Sequence, residues 1–420
     1  MFIIKKISSL KIIDYCILFL PIFFLSGPAF VNFISILFSI LFLFISIKND
    51  NWAWLKLSFV RFFFAFWLYL ILNSFFATDS IASFQAAFGF VRFFLFALVI
   101  GFYGFRELSF NKVIKIWFII ILLFCFDIYF QFFFSVDIFG FEQNETGRLS
   151  GVLGKELIAG SFLAQIFAPV LGLIAFLIFF TKLKKIKNLF LIFSLVFILV
   201  ACLITGERMN FVFLTSLYLI LFFMILFYKK KFIKILLLIL LLFIIFISAF
   251  NFSKMVEIRY KEFGSIVTNI TTSSWWKLYN SAYRLWLKRP FTGYGLKNYR
   301  VNCDLELTDI IPENPHQLCS THPHNLYLEL LSETGLVGLL FFLSFFFFFF
   351  KKVFKKIKFK LRDENILIII SCLISVFLIL WPIKTSGSFY TSWNGLFLWM
   401  LMGIILNKSY QTNKEQDKIK

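Results

Sequence analysis

Apolar runs of about 20 residues recur along the whole chain and constrain its fold more than any other feature. A helix of that length crosses a hydrocarbon layer of about 30 Å. Because the layer offers no partner to backbone N–H and C=O groups, such spans are helical. Of the 420 residues, 60% are hydrophobic and only 15% are charged, which is too few charges to cover a soluble chain of this size. The sequence therefore predicts an all-α, polytopic membrane protein.

Twelve spans are predicted, with one large loop between the ninth and the tenth. The predicted spans cover residues 12–26, 29–47, 57–76, 82–104, 115–134, 158–180, 189–205, 210–228, 235–251, 325–350, 365–383 and 393–407. The chain then divides into helices one to nine in residues 1–251, the loop in 252–324, helices ten to twelve in 325–407 and a tail in 408–420.

The basic residues indicate the orientation of these spans. The net charge of +20 is also compatible with a nucleic-acid partner. However, Lys and Arg cluster in alternate connections, and the short connections of the other side hold only Arg148, Lys155, Arg208 and Lys384. Since basic connections stay in the cytoplasm, we expect both termini to be cytoplasmic, the large loop to be outside and no nucleic acid to bind.

All three histidines, His316, His322 and His324, fall where the predicted outer loop meets the tenth span. Pro323 suits the first turn of a helix, which places His324 at the mouth of the span. A histidine there titrates near neutral pH and can move a proton. The alternative is a histidine that only holds the start of the helix through a hydrogen bond.

Polar residues continue into the tenth span. Asn325, Glu329 and Ser332 share one helical stripe, with Glu333 at its edge. Carboxylates at the outer end of a membrane helix cost free energy unless they have partners. They therefore indicate either a functional site or a hydrated start of the helix.

Three more charged residues lie in or beside predicted spans. Arg92 and Asp127, in the fourth and fifth spans, are each expected to have a partner and can form one structural pair. Arg208 lies at the outer start of the eighth span. Its planar guanidinium suits a phosphate or pyrophosphate at that face. The alternative is that Arg208 only pairs with a neighbouring carboxylate.

The outer loop contains an amphipathic segment. Trp275, Tyr279 and Trp286 recur near helical spacing, which predicts a helix over Ser274 to Lys288 that Pro290 ends. Trp and Tyr at this density are typical of a helix at the headgroup level of a membrane.

Cys303 and Cys319 both lie in the same loop. In an oxidising compartment they can form a disulfide. With His316 and His322 they also offer zinc-type ligands, although the spacing matches no standard finger. We predict no metal site and no cofactor.

Several function classes lack their signatures. Neither a Gly-rich phosphate loop nor a Gly-x-Ser-x-Gly motif occurs, which argues against ATP-driven pumps and serine hydrolases. A polysaccharide or ion transporter is the main alternative of another class. Its key polar groups should lie near the membrane midplane, whereas most here lie near the outer face. A non-catalytic scaffold in envelope assembly is a third interpretation.

Four stretches resemble the O-antigen ligase and polymerase family, which are bacterial inner-membrane transferases acting on lipid-linked glycans. The stretches are Asp127–Gln131 with Arg148–Glu156 and Gly160, then Thr205–Arg208, then Pro290–Gly295 with Lys297–Arg300, and finally Ser320–Glu329 with Glu333–Gly335. The fourth stretch, between a large outer loop and a span, is the most specific of them.

The resemblance implies a reaction and its participants. The donor would be an undecaprenyl-pyrophosphate-linked glycan, and the acceptor lipid A-core or another glycan, with metal-independent transfer among the lipids of the inner membrane. Ligase and polymerase differ mainly in the acceptor, and we expect a ligase.

The resemblance also assigns residues. The family's catalytic histidine, which precedes an asparagine, corresponds to His324, and His322 is a second catalytic candidate. The arginine of the short outer turn corresponds to Arg208. Many members carry another arginine near the position of Trp275, where this chain departs from the pattern. Arg284 is the nearest arginine of that helix, and it becomes the substrate-binding candidate for this second pyrophosphate arginine. Further substrate-binding candidates are Arg148, Asn325 and Glu329.

Overall fold

The computed structural model describes residues 9–145, 147–252, 254–306, 319–357, 359–385 and 387–417. These residues form sixteen α-helices. In chain order the helices are α1 (Ser9–Leu18), α2 (Leu20–Leu25), α3 (Pro28–Lys48), α4 (Ser58–Ser74), α5 (Ser80–Tyr103), α6 (Phe110–Phe134), α7 (Ala159–Phe180), α8 (Lys185–Ile204), α9 (Arg208–Tyr228), α10 (Phe232–Phe252), α11 (Lys254–Thr268), α12 (Ser274–Lys288), α13 (Tyr299–Glu306), α14 (Leu326–Lys356), α15 (Glu364–Ile379) and α16 (Ser392–Asp417).

The helices bear out a polytopic membrane protein. Seven of those described are long and apolar enough to cross a membrane, namely α3, α5, α6, α7, α8, α9 and α14. Shorter apolar helices are α4, α15 and the part of α10 from Phe232 to Ser248. The first predicted span differs, because the structure divides it into α1 and α2 on either side of Phe19. The total of twelve spans stays a prediction.

Aromatic side chains of α4, α5, α14 and α16 pack together in the core of the bundle. Phe63 of α4 stacks on Phe94 of α5, with ring centroids 3.9 Å apart. It also meets Trp399 of α16 edge to face at 5.6 Å and Phe345 of α14 at 5.7 Å. The phenylalanine run that starts at Phe345 therefore contributes to the core, in line with its apolar character.

α14 is interrupted near its start by Gly335, which has a φ of 64°. The segment after α12 is hydrogen-bonded into this break: the backbone N–H of Leu336 donates to the C=O of Pro290 at 2.8 Å, and that of Gly295 to the C=O of Glu333 at 2.7 Å. A Cβ on Gly335 would lie 2.2 Å from the carbonyl oxygen of Phe291. The third resembling stretch and the end of the fourth are therefore one packed unit.

The predicted pair between Arg92 and Asp127 is wrong. Asp127 instead accepts hydrogen bonds from backbone N–H groups, including that of Ile138 at 3.0 Å. Arg92 donates to the side-chain oxygen of Asn32 at 3.1 Å and lies over the ring of Phe93. Backbone donors of a nearby loop satisfy this carboxylate, so it needs no cation from another helix.

Candidate active site

A helix and a disulfide frame the loop that carries the histidines. α12 spans Ser274–Lys288, as the sequence predicted. Cys303 and Cys319 form a disulfide with Cα atoms 5.7 Å apart, which confirms that alternative. Because each sulfur atom is bonded to the other, neither cysteine is a free thiolate that could bind zinc. The zinc alternative therefore loses two of its four ligands. Of its two histidine candidates, His322 is described below and His316 lies outside the described residues.

His322 and His324 lie side by side just before α14. Their ring centroids are 4.0 Å apart, and the ring of Trp275 meets that of His324 edge to face at 5.1 Å. The hydroxyl oxygen of Thr321 is 3.0 Å from Nδ1 of His322. His324 has a φ of 55°, a left-handed conformation that non-glycine residues seldom adopt and that clusters at functional sites. The loop thus holds both imidazole rings in one place.

Asn325 fixes the point at which α14 begins. Its side-chain oxygen accepts hydrogen bonds from the backbone N–H groups of Tyr327 and Leu328, both at 3.1 Å, as an N-cap does. Its Nδ2 atom donates to the C=O of Pro382 at 2.7 Å. The asparagine after His324 therefore ties the histidine loop to the segment between α15 and α16.

Both histidines line a cavity of about 300 Å³, here named the histidine cavity. The segment before α7, the starts of α7, α9 and α12, and the chain after α15 form its other walls. Its polar lining residues include Arg148, Ser161, Gln165, Glu207, Asn210, Lys384 and Thr385. This lining gives the cavity both basic and acidic groups beside the imidazole rings.

A second cavity of about 360 Å³, here named the arginine cavity, is lined by Arg208 and Arg259. Nη1 of Arg208 donates to the backbone C=O of Arg259 at 2.9 Å. One carboxylate oxygen of Glu262 lies 3.6 Å from Arg208 and 3.7 Å from Arg259. Arg208 thus has a neighbouring carboxylate, but the Glu262 side chain is 52% exposed, and exposed ion pairs contribute little.

The two cavities share a wall. Arg148, Glu207, Asn210, Trp275 and Thr385 line both of them. Nη2 of Arg148 is 3.8 Å from Oε1 of Glu207 and donates to the C=O of Leu157 at 2.6 Å. The two cavities therefore adjoin each other at this wall.

The loop of Arg148 is held by two side chains of α6. Asp127 accepts from the backbone N–H of Val152 at 2.7 Å. The side-chain oxygen of Gln131 accepts from the backbone N–H groups of Ser150 at 3.0 Å and Gly151 at 2.8 Å. The first resembling stretch is therefore a structural unit that positions Arg148.

Glu207 joins the start of α9 to the start of α7. One oxygen accepts from the backbone N–H of Gly160 at 2.7 Å, and the other from the side chain of Asn210 at 2.6 Å. A Cβ on Gly160 would lie 2.9 Å from that of Glu207, so glycine permits this approach. Burial raises the pKa of the Glu207 carboxyl, and the charge of Arg148 opposes that shift.

Lys384 is a buried cation in the histidine cavity. It is 8% exposed, and its Nζ lies 4.4 Å from the ring centroid of Phe213. Burial lowers the pKa of Lys384 to about 8, and the negative charge of Glu207 partly opposes this shift. A lysine held this way carries a charge at neutral pH and loses it within the accessible alkaline range.

Positive charge exceeds negative charge across the two cavities. Among the described residues, four cations and two carboxylates line or border them, namely Arg148, Arg208, Arg259, Lys384, Glu207 and Glu262. Guanidinium forks match phosphate oxygens, and an ammonium adds a point charge. The arrangement therefore favours an anionic ligand next to a pair of imidazoles.

The structure brings together only part of the predicted set. His322, His324, Arg208 and Arg148 line the cavities, whereas Arg284 lies on the exposed side of α12 and lines neither. Asn325 is engaged as the helix cap described above, and Glu329 is buried, where it accepts from the backbone N–H of Phe389 at 3.0 Å.

Sequence reasoning missed Arg259 and Lys384. Arg259 lies 51 positions after Arg208, in a helix that was not predicted. Lys384 was counted only as a charge of a short outer connection. For Lys384 the signal that was present is that it is one of only four basic residues in the short outer connections. Arg259 is one of nine basic residues in the long outer loop, so its sequence carried no comparable signal.

A comparison with protein families agrees with the resemblance noted in the sequence. Residues 193–343 match the family model described as O-antigen ligase. The matched segment includes Arg208, Arg259, Trp275 and both cavity-lining histidines. Among curated proteins, no significant match was found. Over residues 193–343 the chain is therefore similar to the O-antigen ligase family.

Proposed function

We propose that the protein is a ligase-type glycosyltransferase that moves a glycan from undecaprenyl pyrophosphate to lipid A-core or a similar acceptor. The main support is the wall that the histidine cavity and the arginine cavity share. Transfer from a pyrophosphate-linked donor needs a general base on one side of the reacting carbon and an anion site on the other. The two adjoining cavities supply these two functions.

The donor pyrophosphate would bind in the arginine cavity. Arg208 and Arg259 face that cavity, and Arg148 lies in the shared wall. We assign the second pyrophosphate arginine to Arg259 in preference to Arg284, because Arg284 is exposed on α12 and lines neither cavity. The exposed carboxylate of Glu262 would be displaced by the phosphate oxygens, and the lipid tail would lie in the bilayer beside the helices.

The acceptor would bind in the histidine cavity. Its hydroxyl attacks the anomeric carbon of the donor sugar while His324 takes the hydroxyl proton. The bond between that carbon and the pyrophosphate oxygen breaks, and undecaprenyl pyrophosphate leaves with the electron pair. Arg148 and Lys384 line this cavity and would stabilise the developing negative charge. Since these cations are part of the chain, we expect transfer to need no metal ion or cofactor.

Three further residues would support His324. His322, 4.0 Å away between ring centroids, is placed to take the proton onward. Asn325 positions the loop by capping α14. Glu329 binds the backbone of Phe389, which itself lines the histidine cavity. We propose that Asn325 and Glu329 act on the substrate through the shape of the cavity.

The predicted orientation places both cavities at the periplasmic face of the inner membrane, with both termini in the cytoplasm. Arg208 lies at the start of α9 and Lys384 beyond the end of α15, so the site is at one end of the bundle. A transporter would hold its polar groups near the membrane midplane. This position is the observation that favours a transferase over the transporter alternative.

The test is transfer by the purified protein in liposomes, using an undecaprenyl-pyrophosphate glycan with lipid A-core or a second lipid-linked glycan as acceptor. Product on lipid A-core, with EDTA present or absent, supports the ligase. Growth of the lipid-linked glycan instead makes the protein a polymerase. No transfer to either acceptor from a folded sample with a cognate donor contradicts the proposal and favours the transporter.

A further inference from the structure

A large apolar cleft lies at the end of the bundle opposite the candidate active site. α9 runs from Arg208 at that site to Tyr228, so the 21 residues of the helix separate the two ends by about 30 Å. The cleft has a volume of about 460 Å³ and lies between α7, α8, α9 and α10. Its walls are mainly aliphatic and aromatic side chains, among them Ile192, Leu199, Phe222 and Leu241. It is distinct from the two cavities described above.

Three lysines surround one end of this cleft. Lys229, Lys231 and Lys234 all line it. Lys229 is anchored, because its ammonium donates to the backbone C=O of Phe179 and lies 4.6 Å from the ring centroid of Phe180. Its ammonium therefore stays at the cleft instead of extending into water.

No described carboxylate neutralises the three lysines of the cleft. Burial lowers the pKa of Lys229, and the positive charges of Arg362, Lys234 and Lys231 lower it further. Within the described part of the chain, no carboxylate forms an ion pair with any of these four residues. Mutual repulsion next to an apolar cleft leaves a site that an anion attached to a hydrocarbon chain would complement.

We propose that this cleft binds an anionic phospholipid, with the headgroup phosphate at Lys229, Lys231 and Lys234 and an acyl chain against the apolar walls. A small phosphate ion would leave the apolar walls unfilled. A zwitterionic lipid would bring a positive group to the lysines along with its phosphate. Basic residues near a membrane surface each favour anionic lipid by about 1 kcal/mol. The proposal is independent of the function proposed for the histidine cavity.

The test is native mass spectrometry of the full-length protein purified in a neutral detergent. Phosphatidylglycerol, phosphatidylcholine with the same acyl chains and glycerol 3-phosphate are added separately. We expect phosphatidylglycerol adducts to survive at lower lipid concentration than phosphatidylcholine adducts, and glycerol 3-phosphate to bind negligibly. The double variant K231Q/K234Q leaves the anchored Lys229 in place and should lose this preference by about tenfold or more.

Lysines of the same surface provide the control for charge. K185Q/K187Q removes two charges from α8 that do not line the cleft, and it should keep the preference for phosphatidylglycerol. Equal binding of both lipids to the wild type would overturn the proposal. So would an unchanged preference in K231Q/K234Q, or equal losses in both double variants.

A second pair of variants tests the cleft itself. Ile192→Trp places a large ring against the cleft, whereas Phe193→Trp changes the next residue of α8, which does not line it. Both side chains are partly exposed, so we expect both variants to fold with wild-type melting temperatures. Phosphatidylglycerol binding should fall in Ile192→Trp alone. Wild-type binding in Ile192→Trp, or tight binding of glycerol 3-phosphate, would show that no acyl chain occupies the cleft and would contradict the proposal.

Discussion

The ring of Trp275 packs edge to face against the ring of His324, with the two centroids 5.1 Å apart. Trp275 also lines both the histidine cavity and the arginine cavity. This one side chain therefore connects α12 to the proposed general base and separates the proposed acceptor site from the proposed pyrophosphate site. The resemblance found in the sequence implies that many members of the O-antigen ligase family carry an arginine near the position of Trp275.

Replacing Trp275 tests this contact. Trp275→Ala should lower transfer by about tenfold or more, because a small displacement of a catalytic group is costly. Trp275→Phe keeps an aromatic ring and should retain most activity. Trp276→Ala removes a 43% exposed neighbour of the same helix and serves as the control. Equal activity in Trp275→Ala and Trp276→Ala would show that the ring does not position His324.

The assignment of the second pyrophosphate arginine is tested by a matched pair of variants. Arg259→Ala removes a guanidinium from the arginine cavity and should lower transfer by about 100-fold, as loss of a charge-stabilising donor does. Arg284→Ala removes an exposed guanidinium of α12 and should change transfer by less than about threefold. Initial rates at saturating and limiting donor concentrations provide the measurement. A larger defect in Arg284→Ala than in Arg259→Ala would reverse the assignment.

Lys384 predicts a specific pH dependence of donor binding. Its pKa of about 8 means that the charge on its ammonium is lost above pH 8. The KM for the donor should therefore rise as the pH increases from 7 to 9.5. In Lys384→Met the KM for the donor should already be about tenfold higher at pH 7, which is about 1.4 kcal/mol. The part of its pH dependence that comes from Lys384 should be absent. A wild-type KM that is constant from pH 7 to 9.5 would contradict a binding role for this lysine.

The same shift predicts the stability of the folded state. Between the folded pKa of about 8 and the ordinary value of 10.5, the unfolded chain holds the Lys384 proton and the folded chain does not. The contribution of Lys384 to the free energy of unfolding should therefore rise with pH between these two values. Lys384→Met should lack this rise when melting temperatures in detergent are compared at pH 7.5 and 9.5. If the melting temperature rises equally in wild type and Lys384→Met, other titrating groups cause the rise.

The break in α14 predicts a large effect on stability. Gly335→Ala places a Cβ 2.2 Å from the carbonyl oxygen of Phe291 in a left-handed backbone conformation, and should cost about 2 kcal/mol or more. Gly264→Ala is the control, because nothing lies within 4 Å of a Cβ at that helical position. It should be neutral or slightly stabilising. Similar melting temperatures for the two variants would mean that the break is not required.

Most helices were predictable because their signals are local. Apolar runs predicted the long apolar helices, and the spacing of Trp275, Tyr279 and Trp286 predicted α12 with both ends. The first span was predicted whole but is broken at Phe19, where Pro21 follows closely and removes a backbone donor from the helix. Local patterns therefore predicted the existence of helices better than their interruptions.

The candidate site was predictable only in part, because it forms from distant segments. His324 and Arg208 were found through short motifs, whereas Arg259 and Lys384 reach the cavities only through tertiary packing. The Arg92–Asp127 pair was wrong for a related reason. Sequence shows two opposite charges in neighbouring spans, but it does not show that backbone N–H groups of residues 138 and 152 reach Asp127 first.

The most direct test of the account is single-turnover transfer from a prebound donor by wild type and three histidine variants, each checked for folding and donor binding. His324→Ala should lose at least about 100-fold in rate with donor affinity close to wild type, and His322→Ala should lose less. His316→Ala, which removes the third histidine of the chain, should be close to wild type. Full activity in His324→Ala would contradict the role of His324 as general base and, with it, the proposed mechanism.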